Sequence, residues 1–459
     1  MKQNTTKNMT VGSPMKLILR FFVPLLLGML FQQFYNMMDT MIVGRFLGAK
    51  ALAAVGGTGS INFMIIGFCM GVCNGFAIPV ARAFGAGEES ALRKYVANSI
   101  WLSIVFSLIT TVIVCVFCRK ILIGMDTPAD IIEDSYAYIF VIFLGIPVVY
   151  LYNLLSGILR SLGDSKTPLY FLVISSILNI VLDLVAVLVL HMGVGGAAWA
   201  TVISQGISGI LCLVYIIKNY PILKISKEEW RPDWLSIKML CSMGIPMGLQ
   251  YSITAIGSVI LQTAVNSLGS MAVASVTAGN KIGMFFACPF DAMGSTMATY
   301  AGQNTGAGKF DRVTEGIKAC GLIAIVYSVI ACFVLTFFGQ ELSLLFVEKA
   351  EAEVVQNAAL LLKWTSIFFI PLAFVNIVRF SIQGMGFGNL AILAGVCEMF
   401  ARGIVGFVFV PMFGYIAACF AGPVAWIMAD LFLIPAYFYV VKRRKREHEK
   451  KSSSYFVRE

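Results

Sequence analysis

The stretch Asn36–Arg45, NMMDTMIVGR, decides how this chain folds, because it places an acid deep inside an apolar segment. Asp39 is the only charged residue between Phe21 and Gly44. An ionised, unpaired carboxylate is costly in the hydrocarbon of a bilayer, so such a residue faces a bundle interior or a wet cavity. The segment is therefore predicted to be a membrane-spanning helix that carries a functional carboxylate.

A second acid, Asp183, lies in another apolar run, and Asn179 precedes it by four residues. Residues i and i+4 share one face of a helix, so an amide oxygen and a carboxylate point the same way. If Asp39 reaches the same place, the two carboxyls cannot both ionise cheaply and should titrate as a coupled pair. Such a pocket suits a proton relay or a hard cation, which needs oxygen ligands. The alternative is a structural polar pair.

The composition predicts an all-α polytopic membrane protein. The 459 residues are 59% hydrophobic and 13% charged, with a mean hydropathy of +0.85, whereas a soluble protein carries about 25% charged residues. Repeated apolar runs of about 20 residues indicate twelve transmembrane helices. The predicted spans begin near Met15, Ala51, Arg93, Ile131, Pro168, Val194, Lys238, Val273, Glu315, Gln356, Leu390 and Ile416.

The net charge of +10 is concentrated in alternate loops, which indicates orientation in a membrane and not nucleic-acid binding. Basic residues dominate both termini and the loops after even-numbered spans. The loops after odd-numbered spans are rich in acids, including Asp126, Glu133 and Glu348, the last beside Lys349. The positive-inside rule then predicts a multi-pass protein of the cell membrane with both termini in the cytoplasm.

The chain also repeats itself. Leu47–Ala53 is echoed by Leu268–Ala274, and Gly85-Ala86-Gly87 by Gly306-Ala307-Gly308, each 221 residues later. Six spans return the chain to its starting side, so the halves are predicted to be parallel repeats around a central cavity. The predicted divisions are an amino-terminal bundle at 1–218, a cytoplasmic linker at 219–237, a carboxy-terminal bundle at 238–441 and a basic cytoplasmic tail at 442–459.

Catalytic chemistry finds no support in the sequence. The two histidines, His191 and His448, stand in a loop and in the tail. Cys115 and Cys118 have no second pair or nearby histidine that would complete a zinc site. No enzyme activity and no resident cofactor are predicted.

A stretch before span five resembles the signature of a known family. Leu159–Pro168, LRSLGDSKTP, is similar to the L-R-G-x-G-D-x-x-x-P signature of the multidrug and toxic compound extrusion (MATE) family, with Ser161 where glycine is common. Twelve spans in two halves, Pro24 and Asp39 in span one, and the Gly-Ala-Gly turns also resemble that family.

The resemblance implies export of small cationic and amphipathic compounds, driven by inward Na⁺ or H⁺, by a protein that contacts the lipid bilayer and works as a monomer. The positions that match the family's amino-half cation site are Asp39, Asn179, Asp183, Thr201 and Tyr138. The positions predicted to line the substrate cavity are Gln32, Asn36, Asn153 and Asp291. Tyr138 has the alternative role of an interfacial tyrosine, and Thr201 that of a hydroxyl bonded to its own helix.

The carboxy-terminal half lacks the acids that some branches of the family use. Span seven reads Gln250–Thr254 without an acid, and Gln356–Gln383 of span ten has none either. The amino-half site is therefore predicted to act alone. In span eleven, Glu398 and Arg402 are four residues apart, which predicts an ion pair within that helix.

One alternative function is a lipid-linked oligosaccharide or polysaccharide flippase of related fold. Such a protein needs several cations in its cavity to hold pyrophosphate. The cations expected at membrane depth are Lys281, Arg379 and Arg402, all in the second half. A membrane enzyme is a weaker alternative, because no nucleophile and base stand together.

Overall fold

A computed structural model describes residues 7–125, 127–345 and 351–456 of the chain. Every regular element in those ranges is a helix. Three residues that contribute to the predicted loop charges, Asp126, Glu348 and Lys349, lie outside the described ranges.

The described residues contain twelve candidate spans, which confirms the predicted fold class. Ten helices are long and apolar enough to cross a membrane, and two bent helix pairs supply the other two spans. The first six are Pro14–Leu47, Gly59–Ala86 (preceded by the helix Ala49–Gly57), Glu89–Gly124, Ile132–Leu144 with Ile146–Ser161, Lys166–Val189 and Gly193–Asn219. The second six are Trp234–Asn266, Ser270–Gly306, Phe310–Ser343, Ala352–Ile367 with Phe369–Gly384, Gly388–Phe413 and the helix that begins at Tyr415.

The backbone repeats between the two halves as the sequence does. Glycines with positive φ, a region that other residues rarely adopt, recur in pairs at the same positions of each half. The pairs are Gly48 and Gly269 (φ 90° and 95°), Gly87 and Gly308 (74° and 71°), Gly163 and Gly386 (82° and 91°), and Gly193 and Gly414 (60° and 61°). The repeated turns therefore have matching backbone geometry.

Two irregularities also recur, and neither was predicted. Span four bends by 45° between Leu144 and Ile146, and span ten bends by 54° between Ile367 and Phe369. Span five ends in a π-helical turn at Val185–Val189, and span eleven contains one at Val405–Phe409. Such turns are rare and occur frequently at functional sites. The first of them begins two residues after Asp183.

The described chain forms two compact units that divide spans one and seven. The first unit comprises Val23–Ser252 with the described residues before Met9, and the second comprises Met9–Phe22 with the described part of Ile253–Glu459. Compactness and sequence repetition are different criteria, so the predicted division into two six-helix bundles stays a prediction.

The signature stretch anchors the start of span five. The Oδ1 atom of Asp164 accepts hydrogen bonds from the backbone N–H groups of Lys166 and Thr167 at 3.0 and 3.1 Å. Its Oδ2 atom accepts from the hydroxyls of Thr167 and Tyr220 at 2.6 and 2.7 Å. A Cβ atom on Gly163 would collide with the carbonyl oxygen of Lys7. The two bonds from backbone N–H groups to Asp164 satisfy amides that the start of a helix leaves without partners.

The linker between the halves is held by a buried glutamate. Both carboxylate oxygens of Glu229 accept from Nε of Arg93 at 2.9 Å, and Oε2 also accepts from the backbone N–H of Ser226 at 2.9 Å. The bond from Ser226 and the guanidinium of Arg93 lower the pKa of Glu229, against a smaller rise from desolvation.

Glu229→Gln is expected to loosen the linker at neutral pH. The pKa of this carboxyl is lower in the folded state, so its stabilisation is present above the ordinary glutamate pKa of about 4.3 and is lost as the pH falls through the lower folded value. Losing a charged partner costs about 1.5–3 kcal/mol, so the amides around Ser226 should exchange at least about tenfold faster. Hydrogen exchange followed by mass spectrometry measures this. The neighbouring Glu228 is exposed, so Glu228→Gln is the matched control, and equal exchange in both variants would contradict the prediction.

The predicted basic tail continues span twelve as one helix, Tyr415–Phe456. Nε and Nη2 of Arg444 donate to the carbonyl oxygen of Met385 at 3.0 and 2.7 Å. Lys445 Nζ lies 2.6 Å from Oδ1 of Asp311. The described part of the tail is therefore docked on loops of its own unit. Residues 457–459 lie outside the described ranges.

Candidate functional site

The structure brings the two predicted carboxyls together. Asp39, in span one, is 7% exposed, and Asp183, at the end of the α-helical part of span five, is 0% exposed. Their carboxyl groups are close enough to interact directly with each other. Two carboxylates this close and this buried repel each other unless a proton or a cation lies between them.

Asn179 and Thr201 form the next part of the site. Asn179 is 1% exposed, and its Nδ2 donates to Oγ1 of Thr201 at 3.3 Å. Thr201 Oγ1 in turn donates to the carbonyl oxygen of Ala197 at 3.2 Å. The hydroxyl of Thr201 therefore bonds its own helix, as one of the two sequence interpretations had it, and it also holds the amide of Asn179. This arrangement leaves Oδ1 as the atom of Asn179 that is free to bind a ligand. Membership of Thr201 in a cation site stays a prediction.

Tyr138 is buried beside the carboxyls. It is 7% exposed and interacts electrostatically with Asp39 and Asp183. It lies before the bend of span four, where a Cβ atom on Gly145 would collide with Val202 of span six. The bend and the glycine therefore let span six, with Thr201, approach span four closely.

Two residues of the site were missed by the sequence analysis. Tyr35 is 8% exposed, and its hydroxyl hydrogen-bonds to the side chains of Gln32 and Gln205. It also interacts electrostatically with both aspartates. The i, i+4 spacing could have found these residues, because Tyr35 precedes Asp39 by four and Gln205 follows Thr201 by four.

The pocket presents oxygens that lack hydrogen-bond donors. Within the described part of the chain, no donor reaches Oδ1 of Asp39, either carboxyl oxygen of Asp183, or Oδ1 of Asn179, and all four atoms are buried. Buried acceptors without donors are rare in folded proteins and costly. A bound proton or cation removes that cost, so the arrangement suits reversible binding of a small positive charge.

The four predicted cavity residues have different surroundings. Gln32 joins the site through Tyr35, and Asn36 is exposed. Asn153 is half-buried, and its amide donates to the carbonyl oxygen of Val149 on its own helix. Asp291 is exposed and belongs to the second unit, where it interacts with Arg379. Their role in lining a substrate cavity stays a prediction.

The ion pair predicted within span eleven is present, and it has a further partner in span ten. Oε2 of Glu398 lies 3.6 Å from Nη2 of Arg402, but Oε1 makes a closer contact with Nη2 of Arg379 in span ten. Arg379 thus has a partner that sequence spacing did not reveal. Among the described residues, no group of three or more His, Cys, Asp or Glu could hold a metal ion.

Comparison with known proteins places the chain in one family of transporters. The model of the MatE family matches residues 24–185 and 246–414. The probable multidrug resistance protein YoeA of Bacillus subtilis is 30% identical over 359 residues, which cover 76% of this chain and 77% of that protein. The probable multidrug resistance protein YpnP of the same organism is 30% identical over 369 residues, covering 80% and 82%. The solved outward-facing structure of a multidrug resistance MATE family transporter has a TM-score of 0.89 at 22% identity, covering 97% of this chain and all of that one.

Proposed function

Because the chain belongs to the MatE family, we propose that it is a secondary antiporter that exports cationic and amphipathic compounds in exchange for inward Na⁺ or H⁺. The observation that carries the proposal is the buried pair Asp39 and Asp183, three of whose four carboxyl oxygens lack donors. Multidrug resistance is the function named for YoeA and YpnP. The comparisons do not favour the flippase alternative.

In this proposal, the ion and the drug stabilise different conformations of the protein. Na⁺ or H⁺ binds between Asp39 and Asp183 and removes their mutual repulsion. Oδ1 of Asn179 supplies a neutral oxygen, and Thr201 holds that amide in place. An ion shifts a conformational equilibrium only by its difference in affinity for the two states. The drug-loaded conformation must therefore bind the ion more weakly, which requires the two carboxyls to separate or to gain solvent.

Ion-dependent dye efflux tests the function directly. Everted membrane vesicles that contain the protein should accumulate a cationic dye when a Na⁺ or H⁺ gradient of the correct direction is imposed. Vesicles without the protein are the control. Accumulation that is independent of both gradients would contradict secondary active transport.

The orientation of the termini belongs to the same proposal. Reporter fusions at Glu133 and Glu351 are expected to be extracytoplasmic, and fusions at Lys227 and Lys445 cytoplasmic, because the basic loops stay on the cytoplasmic side. Paired alkaline phosphatase and fluorescent protein fusions report the side of each position. A cytoplasmic reading at Glu133 would invert the proposed topology.

A further inference from the structure

Arg160 carries a positive charge that the proposed coupling site does not use. It is the arginine of the signature stretch, and it lies near the end of the second segment of span four, Ile146–Ser161. Its Nη1 donates to Oγ of Ser156 at 2.9 Å, and its Nη2 donates to Oδ1 of Asn74 at 3.1 Å. Both acceptors are neutral. Since a guanidinium stays protonated in proteins, these bonds hold the side chain in place without neutralising its charge.

The groups that interact most strongly with Arg160 are neutral as well. They are the side chains of Tyr152, Tyr251, Cys212 and Cys73. An uncompensated charge within a membrane-spanning bundle is costly and marks a functional candidate. Among the described residues no carboxylate pairs with this guanidinium, so it can accept the negative charge of a ligand.

Two other arginines of this unit pair with acids. Arg93 contacts Glu229, and Arg119 contacts Glu133. Arg160 therefore differs from them in the chemistry of its partners.

The guanidinium is also open to a ligand. Arg160, Asn74, Tyr152 and Asn153 are all half-buried. The Nε–H group of Arg160 donates to none of the described residues and is not fully enclosed. Asn153, a predicted cavity residue, precedes Arg160 by seven positions and so lies two turns away on the same helix face. Span four therefore presents an amide and, two turns further along, a held cation.

We propose that Arg160 binds an anionic oxygen group, a carboxylate or a phosphate, on a ligand of this transporter. The inference rests on the proposed export function and deepens it, because the substrates would then include amphiphiles that carry such a group beside their positive charge. A guanidinium offers parallel N–H groups that match a carboxylate or a phosphate oxygen pair. The same chemistry is present in a lipid headgroup, so the test must distinguish the two sources.

A matched pair of dyes separates these cases. A rhodamine with a free carboxylate and its methyl ester differ only in the anionic group. In vesicles of zwitterionic lipid, Arg160→Gln is expected to reduce efflux of the acid about tenfold relative to the wild-type protein, the size of one lost charge-assisted pair. Efflux of the ester should fall less than about threefold. Arg160→Lys keeps the charge but not the fork of donors, so its loss should be intermediate.

Arg119→Gln is the control, because that arginine is 59% exposed and pairs with an exposed acid. It should transport both dyes as the wild-type protein does. A second arm compares vesicles with and without phosphatidylglycerol. If the lipid stimulates transport of both dyes in the wild-type protein but not in Arg160→Gln, the anionic group is a headgroup phosphate. That result also supports binding of an anionic oxygen group by Arg160.

Two results would overturn the inference. One is an equal loss of acid and ester transport in Arg160→Gln and Arg160→Lys, without any lipid effect, which indicates a structural role. The other is unchanged transport in both arms. Failure of the wild-type protein to export either dye under any gradient would instead contradict the proposed export function, so the two failures can be distinguished.

Discussion

Asp183→Asn is expected to reduce ion-driven efflux to the level of vesicles that lack the protein. The side chain is 0% exposed and faces Asp39 across a pocket of acceptors without donors. Asparagine keeps the volume but brings an NH₂ group, which can donate to the facing carboxylate without any ion. The site then resembles its protonated state permanently. An ion that binds two conformations equally well does not shift the equilibrium between them. The variant is therefore expected to lose coupling but to keep its packing.

Asp39→Asn should have the same effect for the same reason. The double variant should be no worse than either single one, because residues that act as a unit are not additive. Dye efflux in everted vesicles measures the loss, normalised to the amount of protein in the membrane. Asp134→Asn is the matched control, since that acid is exposed at the start of span four. Wild-type gradient dependence in Asp183→Asn would disprove the assignment of the coupling site.

Glu398→Gln, in contrast, is unsuitable as a neutral control. The sequence predicts an ion pair between this glutamate and Arg402 alone, but its side chain is 5% exposed and also contacts Arg379. Removing one member of a buried charge group leaves the others uncompensated and is strongly destabilising. A loss of transport in that variant would therefore reflect folding as much as function.

The sequence could predict that Asp39 and Asp183 share one place in the fold, because an acid in an apolar span is costly unless it faces the interior. Asp39 and Asp183 stand alone in apolar runs, and Asn179 shares a helix face with Asp183. Tyr35 and Gln205 were missed although the same spacing rule applies to them. Burying a neutral tyrosine or glutamine in a span costs far less free energy than burying an acid. Neither residue is therefore singled out by its spacing alone.

Other features had no local signal in the sequence. The contact between Arg379 and Glu398 joins two spans, and helical spacing reports only on neighbours within one helix. The π-helical turn Val185–Val189 consists of apolar residues that also suit an α-helix. The described helix Tyr415–Phe456 continues past the apolar part of span twelve because its basic residues, such as Arg444, find acceptors on neighbouring loops. These outcomes depend on tertiary contacts.

Lowering the pH is expected to weaken the apparent affinity for Na⁺. Four buried oxygens, from Asp39, Asp183 and Asn179, have no donor in the described structure, and Na⁺ as a hard cation takes oxygen ligands. Thr201 Oγ1 donates to Ala197 and accepts from Asn179, which leaves it one lone pair that could reach a cation. A proton needs only one carboxyl oxygen, so H⁺ and Na⁺ are alternative occupants of the same pair.

The sign of the effect follows from this competition. Metal ligands must be deprotonated, so Na⁺ binding releases any proton held between the carboxyls. Below the titration range of the pair, the apparent Na⁺ affinity should fall about tenfold per pH unit for each proton displaced. Isothermal titration with Na⁺ at about pH 8 and about pH 6, near the ends of the range usable for proteins, measures the shift. K⁺ at the same ionic strength and the Asp183→Asn variant are the controls.

Absence of a saturable Na⁺ signal at high pH would change the identity of the coupling ion but not its site. If an imposed pH gradient alone still drives efflux in that case, the pair is a proton relay, and Asn179 only orients the carboxyls. If Na⁺ binds but the pH has no effect on its affinity, the two carboxyls do not exchange protons for Na⁺, and competition as the basis of coupling is wrong. The aspartate variants and the titration are therefore independent tests, since the first asks where the ion binds and the second asks which ion it is.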